Sequence, residues 1–592
     1  MQNSTPLSAL RSLLITQGLD GMIIPRADAH QSEDCTPHDN KLAWLTGFSG
    51  SAGLALVLRD RALIFVDGRY QVQVRAEVDL NDFEVHHLHD EPLADYLQTH
   101  VPAGARIAFE PLLMANSQFE ALSATHCELV ALESDPFDTV WHDRPAPPCG
   151  LIREMPIEIS GESSPQKRAR IIEALEKHQA DLLAITLPDN IAWLLNVRGS
   201  DLHMVPVPFS FALLHSTGEL EWFVDSRKTT ALPDALLETL TLSAQENFLS
   251  RCQQLAPGKR VLVDKDYAPV ALRFAIEQHG GDVIWSPDPI TFIKANKNET
   301  ELAGYRECHE QDGAAWVNFL AWLAHEVPLR EAAGNPVTEL EAQEKQLFYR
   351  QQQPGFIEQS FGTISASASN AAMCHYHSSE QTNTPITSHA MYLNDSGGQY
   401  HNGTTDTTRT LAFGPQNAQR KLHYTAVLKG FLSLITLHFP SGSQGHQLDA
   451  FARRALWELG LDYDHGTGHG VGHQLLIHEQ PHRLAKKVNP WPLAAGNIMT
   501  IEPGYYLAGQ YGIRIENQVE IVESRPGFCK FSTLTLVPID LNLVELHLLN
   551  DAEKQWIDDY HQQVRETLSG RVNSEARPWL FAATAPIRVQ AN

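Results

Sequence analysis

No stretch of the chain runs to about 18 apolar residues without interruption, the length a membrane-crossing helix needs, so no transmembrane helix is expected. Cysteine is sparse and unpatterned. The seven residues, at 35, 127, 149, 252, 308, 374 and 529, are odd in number and include no CxxC pair. Free thiols in a reducing compartment are the natural reading. Positive charge is also short. The chain has 45 Lys and Arg against 71 Asp and Glu, a formal net charge of −26. That disfavours nucleic acid and anionic membrane as partners, because both need basic patches, and it leaves carboxylates available for metal binding. Low-complexity segments are missing. The opening residues, MQNSTPLSALRSLLITQG, lack a basic n-region, a long apolar h-region and a cleavage site. They read instead as a helix start, with Ser4 or Thr5 as cap and Pro6 in the first turn. A cytoplasmic protein is expected.

What is present is an ordinary globular balance, 43% hydrophobic and 20% charged, over 592 residues. At roughly 150 residues per domain this length suggests three or four domains. The first half carries an internal echo. AWLTGFSGS around Trp44 returns as AWLLNVRGS around Trp193, and LIFVDGRY (63–70) returns as LEWFVDSRK (220–228), matching at Phe-Val-Asp-x-Arg. Each copy follows a helix-like run and a short apolar strand. Two strand-rich α/β domains related by duplication are the simplest account. DRPAPPCG (143–150) reads as the linker between them. A second boundary lies near 286–302, where a loop with two prolines gives way to a long helix-like run that Asn298 or Thr300 could cap. The remainder is one large domain.

Three glycine-punctuated segments of that domain carry the candidate chemistry. In MYLNDSGGQYHNGTTDTTRTLAF (391–413), MYLND reads as a strand ending at Asp395, Ser396-Gly397-Gly398 as a turn, and the Thr-rich remainder as extended chain. Asp395 and Asp406 would then sit on neighbouring strands. Taken alone, such an Asp pair is better explained as a hairpin with solvated acids. In HGTGHGVGHQLLIHEQP (465–481), four histidines at 465, 469, 473 and 478 fall among glycines that let backbone approach a site closely. In MTIEPGYYLAGQYGIRIENQVEI (499–521), Glu502 ends one strand and GIRIENQVEI returns as another. Its alternation puts Ile513 and Ile515 on one face and Arg514 and Glu516 on the other.

Together these segments supply four carboxylates and several imidazoles. Such an oxygen-rich set suits Mn2+, Co2+ or Zn2+. Four carboxylates balance two divalent cations in charge, and bridging carboxylates hold such ions about 3.5–4 Å apart.

In order and length the three segments resemble the active site of the "pita-bread" metallopeptidases, the family of methionine aminopeptidase, prolidase and aminopeptidase P. The resemblance is closest to three-domain aminopeptidase P of the cytosolic eukaryotic type and its bacterial relatives. It spans nearly the whole chain. DAHQSEDCTPHDNKLAWLTGFSGSAG and VDGRY resemble that family's first domain, and DSGGQYHNGTTDTTRT, HGTGHGVG and EPGYY with GIRIEN resemble its catalytic domain.

The resemblance implies an α/β (α+β) architecture: a creatinase-like domain over 1–147, a related one over 148–297, and a pita-bread catalytic domain with a C-terminal extension over 298–592. It also assigns roles. Asp395 would bind one metal, Asp406 and Glu516 would bridge two, and His469 and Glu502 would bind the other, with Glu502 also shuttling a proton. His375, 20 residues before Asp395, takes the position of a substrate-binding histidine. His465 and His478 match the other histidines that would hold substrate and tetrahedral intermediate. Arg514 would orient the bridging ligands or Asp406. His377, His401 and His473 have no such match and read as structural or surface residues. Two positions depart from the family pattern: Gln480 where Gly is common, and Ile501 where an acidic residue is common.

The implied activity is removal of an N-terminal residue when proline follows it, by a water or hydroxide shared between two divalent metals per subunit, Mn2+ first, with Zn2+ and Co2+ as alternatives. The implied partners are peptides with proline at the second position and a second copy of the chain, paired through the catalytic domain. Prolidase, which takes Xaa-Pro dipeptides, is the same-chemistry alternative. The echoed Phe-Val-Asp-x-Arg speaks against it, because prolidase-like chains usually lack the second N-terminal domain. A pita-bread module that binds peptides without cleaving them is the alternative of another class. The five intact ligand positions argue against it.

Overall fold

A computed structural model describes residues 5–587. Ser4, one of the two expected caps of the first helix, lies outside the described residues. Thr5 is the cap: its hydroxyl accepts the Ser8 N–H at 3.2 Å, and Pro6 opens the helix Pro6–Thr16. Two compact units result, Met1–Ile157 with Glu162–Thr291, and Glu158–Gly161 with Phe292–Asn592.

The first unit holds two six-stranded sheets of identical plan. In one, the strand order is Glu84–His87, Ala62–Val66, Leu54–Leu58, Gly21–Pro25, Arg106–Phe109, Glu128–Ala131. In the other it is Thr241–Ser243, Leu220–Phe223, Phe211–His215, Leu182–Ile185, Arg260–Val263, Asp282–Trp285. The pairings match strand for strand, two antiparallel and three parallel in each sheet. The duplication expected from the sequence is thus a duplication of topology.

The central strands are apolar at every position because both faces are covered. In GMIIP, Met22 and Ile24 enter one apolar cluster and Ile23 enters the other. The shared Val-Asp-x-Arg forms the same turn in both copies. Asp67 accepts the Arg69 N–H at 3.0 Å and pairs with its guanidinium at 2.8 Å, and Asp225 does the same with Arg227 at 2.9 and 2.6 Å. The repeated motif is therefore a local Asx turn that ends a strand.

The second unit opens on the helix Glu299–Ala332. Asn298 caps it in a capping box with Glu301, and Thr300 plays no part in that cap. The expected loop before it contains a short helix, Pro289–Ala295. Two expectations about strands need correcting. Ser396-Gly397-Gly398 is not a turn. The strand Met391–Ser396 continues, after a jog at Gly397, as the strand Gly398–Tyr400 in a different sheet, and the chain reverses only at His401 and Asn402. The jog needs glycine, because a Cβ on Gly397 would stand 1.8 Å from the Thr405 carbonyl oxygen. The buried Arg350, paired with Asp312 at 2.7 Å, holds the strand end by donating to the Ser396 carbonyl at 3.1 Å. Nor is GIRIENQVEI one strand. Tyr511–Arg514 pairs with Gly504–Leu507, whereas Asn517–Arg525 belongs to the six-stranded sheet, and Ile515 and Glu516 form the crossing between them. Ile513 and Ile515 both enter one apolar cluster, while Arg514 and Glu516 meet at the Thr408 hydroxyl, so the alternation survives the break.

The C-terminal part, with the helices Asp551–Leu568 and Ala576–Ala583, is tied to this unit by buried polar groups. His561 Nε2 accepts the Ile539 N–H at 3.0 Å, which requires a neutral ring. Burial, then the charges of Arg409 and Arg565, lower its pKa to about 3. Between an unfolded value of about 6.5 and that value, only the unfolded chain binds this proton. Stability therefore falls as pH falls through that window, by about 1.4 kcal/mol per pH unit from this group. His561→Gln keeps an acceptor and cannot titrate. Its melting temperature should change less between pH 6.5 and 5 than that of the parent chain; an equal slope in calorimetry would count against the linkage.

Candidate active site

Close backbone packing positions the site residues. Asp395, near the end of Met391–Ser396, lies opposite Thr408 on the neighbouring antiparallel strand, and Asp406 directly precedes that strand, Thr407–Ala412. His469 is the centre of the short strand Gly468–Gly470, whose register against Glu479–Leu484 shifts between His469 and Gly470. A Cβ on Gly468 would stand 2.0 Å from the Thr500 carbonyl oxygen. Glycine is what lets His469 come beside Glu502, which follows the strand Ile498–Ile501. Glu516 occupies the crossing between two sheets described above.

The ligating atoms of Asp406, His469 and Glu516 lie within 4.8 Å of one another, and all three residues are buried. His469 Nε2 is 3.5 Å from Asp406 Oδ2 and 3.5 Å from Glu502 Oε1. Its Nδ1–H is spent on the Gly470 carbonyl at 2.8 Å. In the neutral ring, Nε2 then turns a lone pair toward two carboxylate oxygens. Lone pairs facing carboxylates repel unless a cation lies among them. Asp395 points the same way: Oδ2 takes Arg514 Nη2 at 2.5 Å, while Oδ1 is buried with no hydrogen-bond partner. Burial first, and then neighbouring carboxylates, push the carboxyls of Asp406, Glu516 and Glu502 well above the usual range. A divalent pair fits this donor set, supplying the positive charge that four clustered carboxylates and an aimed imidazole lone pair lack.

Of its expected targets, Arg514 meets the carboxylate Glu516 and not Asp406. It reaches Asp395 directly and Glu516 only through Thr408, whose hydroxyl accepts Arg514 Nε at 3.1 Å and donates to Glu516 Oε2 at 2.6 Å. Among the described residues it makes no hydrogen bond to Asp406. The antiparallel register brings Asp395 level with Thr408, so Arg514 meets the two together.

Arg514 Nη1 also donates to the Tyr506 hydroxyl at 2.6 Å. That hydroxyl lies 3.0 Å from His465 Nε2, and His465 Nδ1 donates to the Gly466 carbonyl at 2.7 Å. Since guanidinium only donates, Tyr506 accepts from Arg514 and donates to His465. His478 packs edge-on against His469, ring centroids 4.4 Å apart. It is followed by Glu479, which is gripped by the buried Lys294 (3.3 Å) and Lys297. His375 is half-buried beside Cys374, whose sulfur lies 3.8 Å from Arg514 Nη1.

His473 is buried away from this cluster, donating to the Asn402 carbonyl at 2.9 Å, while His377 and His401 are exposed. Of the two departures from the family pattern, Ile501 is core and Gln480 is half-buried. The residue types alone did not single out Thr408, Tyr506 or Cys374. Thr408 lay in the open within a Thr-rich run, and Tyr506 within EPGYY, but nothing local says that either would touch Arg514.

Two duplicated α/β domains, followed by a buried carboxylate–imidazole cluster on and beside β-strands, fit the class of metal-dependent hydrolases. The model of Metallopeptidase family M24 matches residues 303–523, that of the C-terminal region of the same peptidases matches 527–587, and two Creatinase/Prolidase N-terminal domain models match 6–138 and 143–301. A "Probable Xaa-Pro aminopeptidase P" of Laccaria bicolor is 36% identical across 98% of this chain and 93% of its own length. One of Coccidioides posadasii is 37% identical across 99% and 94%. The crystal structure of an X-prolyl aminopeptidase from Caenorhabditis elegans, described as a cytosolic enzyme with a di-nuclear active site, matches with a TM-score of 0.94 at 32% identity, over 98% of this chain and 99% of that one. The chain belongs to the Xaa-Pro aminopeptidase P family of metallopeptidases.

Proposed function

We propose that this chain is a metal-dependent aminopeptidase that hydrolyses the bond between an N-terminal residue and a following proline. The observation that carries the reading is similarity over the full length, both N-terminal domains included, to proteins named for that activity. The bond is hard for general peptidases because its nitrogen is tertiary and the ring restricts the chain. A di-nuclear site, as in the nematode relative, filled here by divalent cations, would lower the pKa of a water and polarise the scissile carbonyl.

The chain's own residues take the following roles. Asp395 would hold one cation, Asp406 and Glu516 would be shared, and His469 and Glu502 would hold the other. The Gly470 carbonyl fixes the His469 tautomer. Glu502 moves the proton; its side chain is 18% exposed against 6% for Asp406, so it is the carboxylate that exchanges protons with the outside most readily. His375, His465 and His478 hold the substrate. Arg514 neutralises Asp395 and, through Thr408, orients Glu516. The oxygen-rich set favours Mn2+ over Zn2+ and Co2+. We further propose the partition 1–147, 148–297 and 298–592, a homodimer through the catalytic domain, and a cytoplasmic location, in keeping with seven free cysteines. No described helix is long and apolar enough to cross a membrane.

Prolidase activity is the reading to be excluded, and the second sheet of the first unit favours the aminopeptidase. An Xaa-Pro-Xaa tripeptide should be hydrolysed with a kcat/KM at least tenfold above that of the Xaa-Pro dipeptide, on protein stripped of metal and reloaded with each ion in turn. Preference for the dipeptide would overturn the assignment, and the add-back series identifies the metal.

A further inference from the structure

The segment that delivers His465 is held from one side by a single turn of helix. Asp449 and Arg453, four residues apart on the helix Gly445–Trp457, form a buried pair at 2.6 Å, and Arg453 is fully enclosed. That spacing reads in sequence as an ordinary solvated helix pair. Here the guanidinium is aimed at one short stretch of chain. Nη1 donates to Asp462 Oδ1 at 2.8 Å and to the Tyr463 carbonyl at 2.6 Å, and Nη2 donates to the His465 carbonyl at 2.9 Å. Its central carbon stands 3.8 Å over the Tyr463 ring, and that ring packs at 4.7 Å against the His465 ring. Asp449 fixes the far end of the stretch: the Thr467 hydroxyl donates to its Oδ1 at 2.5 Å and so accepts from the Tyr463 hydroxyl, also at 2.5 Å.

The helix itself has little room to move. A Cβ on Gly430 of the neighbouring helix would stand 2.0 Å from the Ala452 carbonyl oxygen. Stability does not require an ion pair at such a place, because well-packed apolar residues of similar volume serve as well or better. What a planar fork of donors supplies, and apolar packing cannot, is direction.

We propose that Arg453, oriented by Asp449, is a positioning residue for His465: it holds the Tyr463–His465 backbone and ring stack so that the imidazole stays aligned with Tyr506 and the substrate. It touches neither the metal ligands nor the substrate. The proposal rests on the reading of His465 as a substrate-side histidine.

The test is a double-mutant cycle on the metal-loaded protein, with kcat and KM for an Xaa-Pro-Xaa tripeptide, metal content per chain, and melting temperature measured for each variant. Arg453→Lys keeps the charge and loses the fork. It should lower kcat/KM by on the order of 10- to 100-fold, the scale of a sub-ångström to ångström misplacement, with two metals retained. Arg453→Met should lose at least as much; if it does not fold, Arg453→Lys alone decides. His465→Ala should also cost rate with metal retained. In that background Arg453→Lys should cost less than about threefold, because the residue it positions is gone. Full additivity of the two losses, or loss of metal from Arg453→Lys, would overturn the positioning role. A His465→Ala variant with parental rates would instead overturn the reading of His465 itself, so the two failures are distinguishable.

Discussion

Glu502→Gln should lower kcat for an Xaa-Pro-Xaa tripeptide by roughly 10³-fold, about 4 kcal/mol of transition-state stabilisation, while substrate binding stays measurable. The amide keeps the size of the side chain and an oxygen for the Thr500 hydroxyl, which lies 3.4 Å from Glu502 Oε1. It also keeps the backbone bond from Glu502 N to the Thr467 carbonyl at 2.8 Å. What it loses is the ability to take up and return a proton. Binding of the tripeptide to the variant by calorimetry, beside its turnover, separates the two. A variant within tenfold of the parent in kcat would remove Glu502 from the proton path, and a variant that lost metal would show that its part is ligation alone.

Removal of metal is expected to abolish turnover and also to loosen the catalytic unit. Asp406, Glu516 and Glu502 have carboxyls that burial and mutual repulsion push upward, and Asp395 carries a buried oxygen with no partner. Each cation that fills this cluster relieves that repulsion in the folded chain only. A site filled at about a hundredfold excess over its Kd adds about 2.7 kcal/mol to folding. Chelation followed by dialysis should therefore lower the melting temperature as well as the rate. Restoring a divalent ion should recover both, at two ions per chain. Full activity with less than one ion per chain would refute the two-metal reading. An unchanged melting temperature on reloading would show that these side chains hold no cation.

The residues from which those expectations follow were visible to very different degrees before the fold was known. Asp395, Asp406, His469, Glu502 and Glu516 stand in or beside short glycine-punctuated strands, a pattern visible in the sequence, although the backbone that Gly468 clears, at Thr500, is far along the chain. The duplication was visible too, because Val-Asp-x-Arg closes an Asx turn out of four consecutive residues in each copy. Other features were hidden. The alternation of GIRIEN correctly sent Arg514 and Glu516 to one side, yet a one-strand reading could not reveal the change of sheet at Ile515. Nor could it say that Arg514 would meet Asp395, which is 119 residues away in sequence. Asp449 and Arg453 carry no local sign of burial at all.

The sequence by itself determined the chemistry available to this protein: the donor set, the duplicated α/β plan and the caps of its helices. These depend on periodicity and on turn preferences that act within a few residues. Only the tertiary structure decided how the donors are aimed. The aim of His469 at Asp406 and Glu502, the pairing of Arg514 with Asp395 through a strand register, and the burial that turns a helix-surface pair into a grip on Tyr463 and His465 each depend on which distant backbone comes to lie opposite. That choice is made by the packing of whole sheets and helices, which no short window of sequence contains.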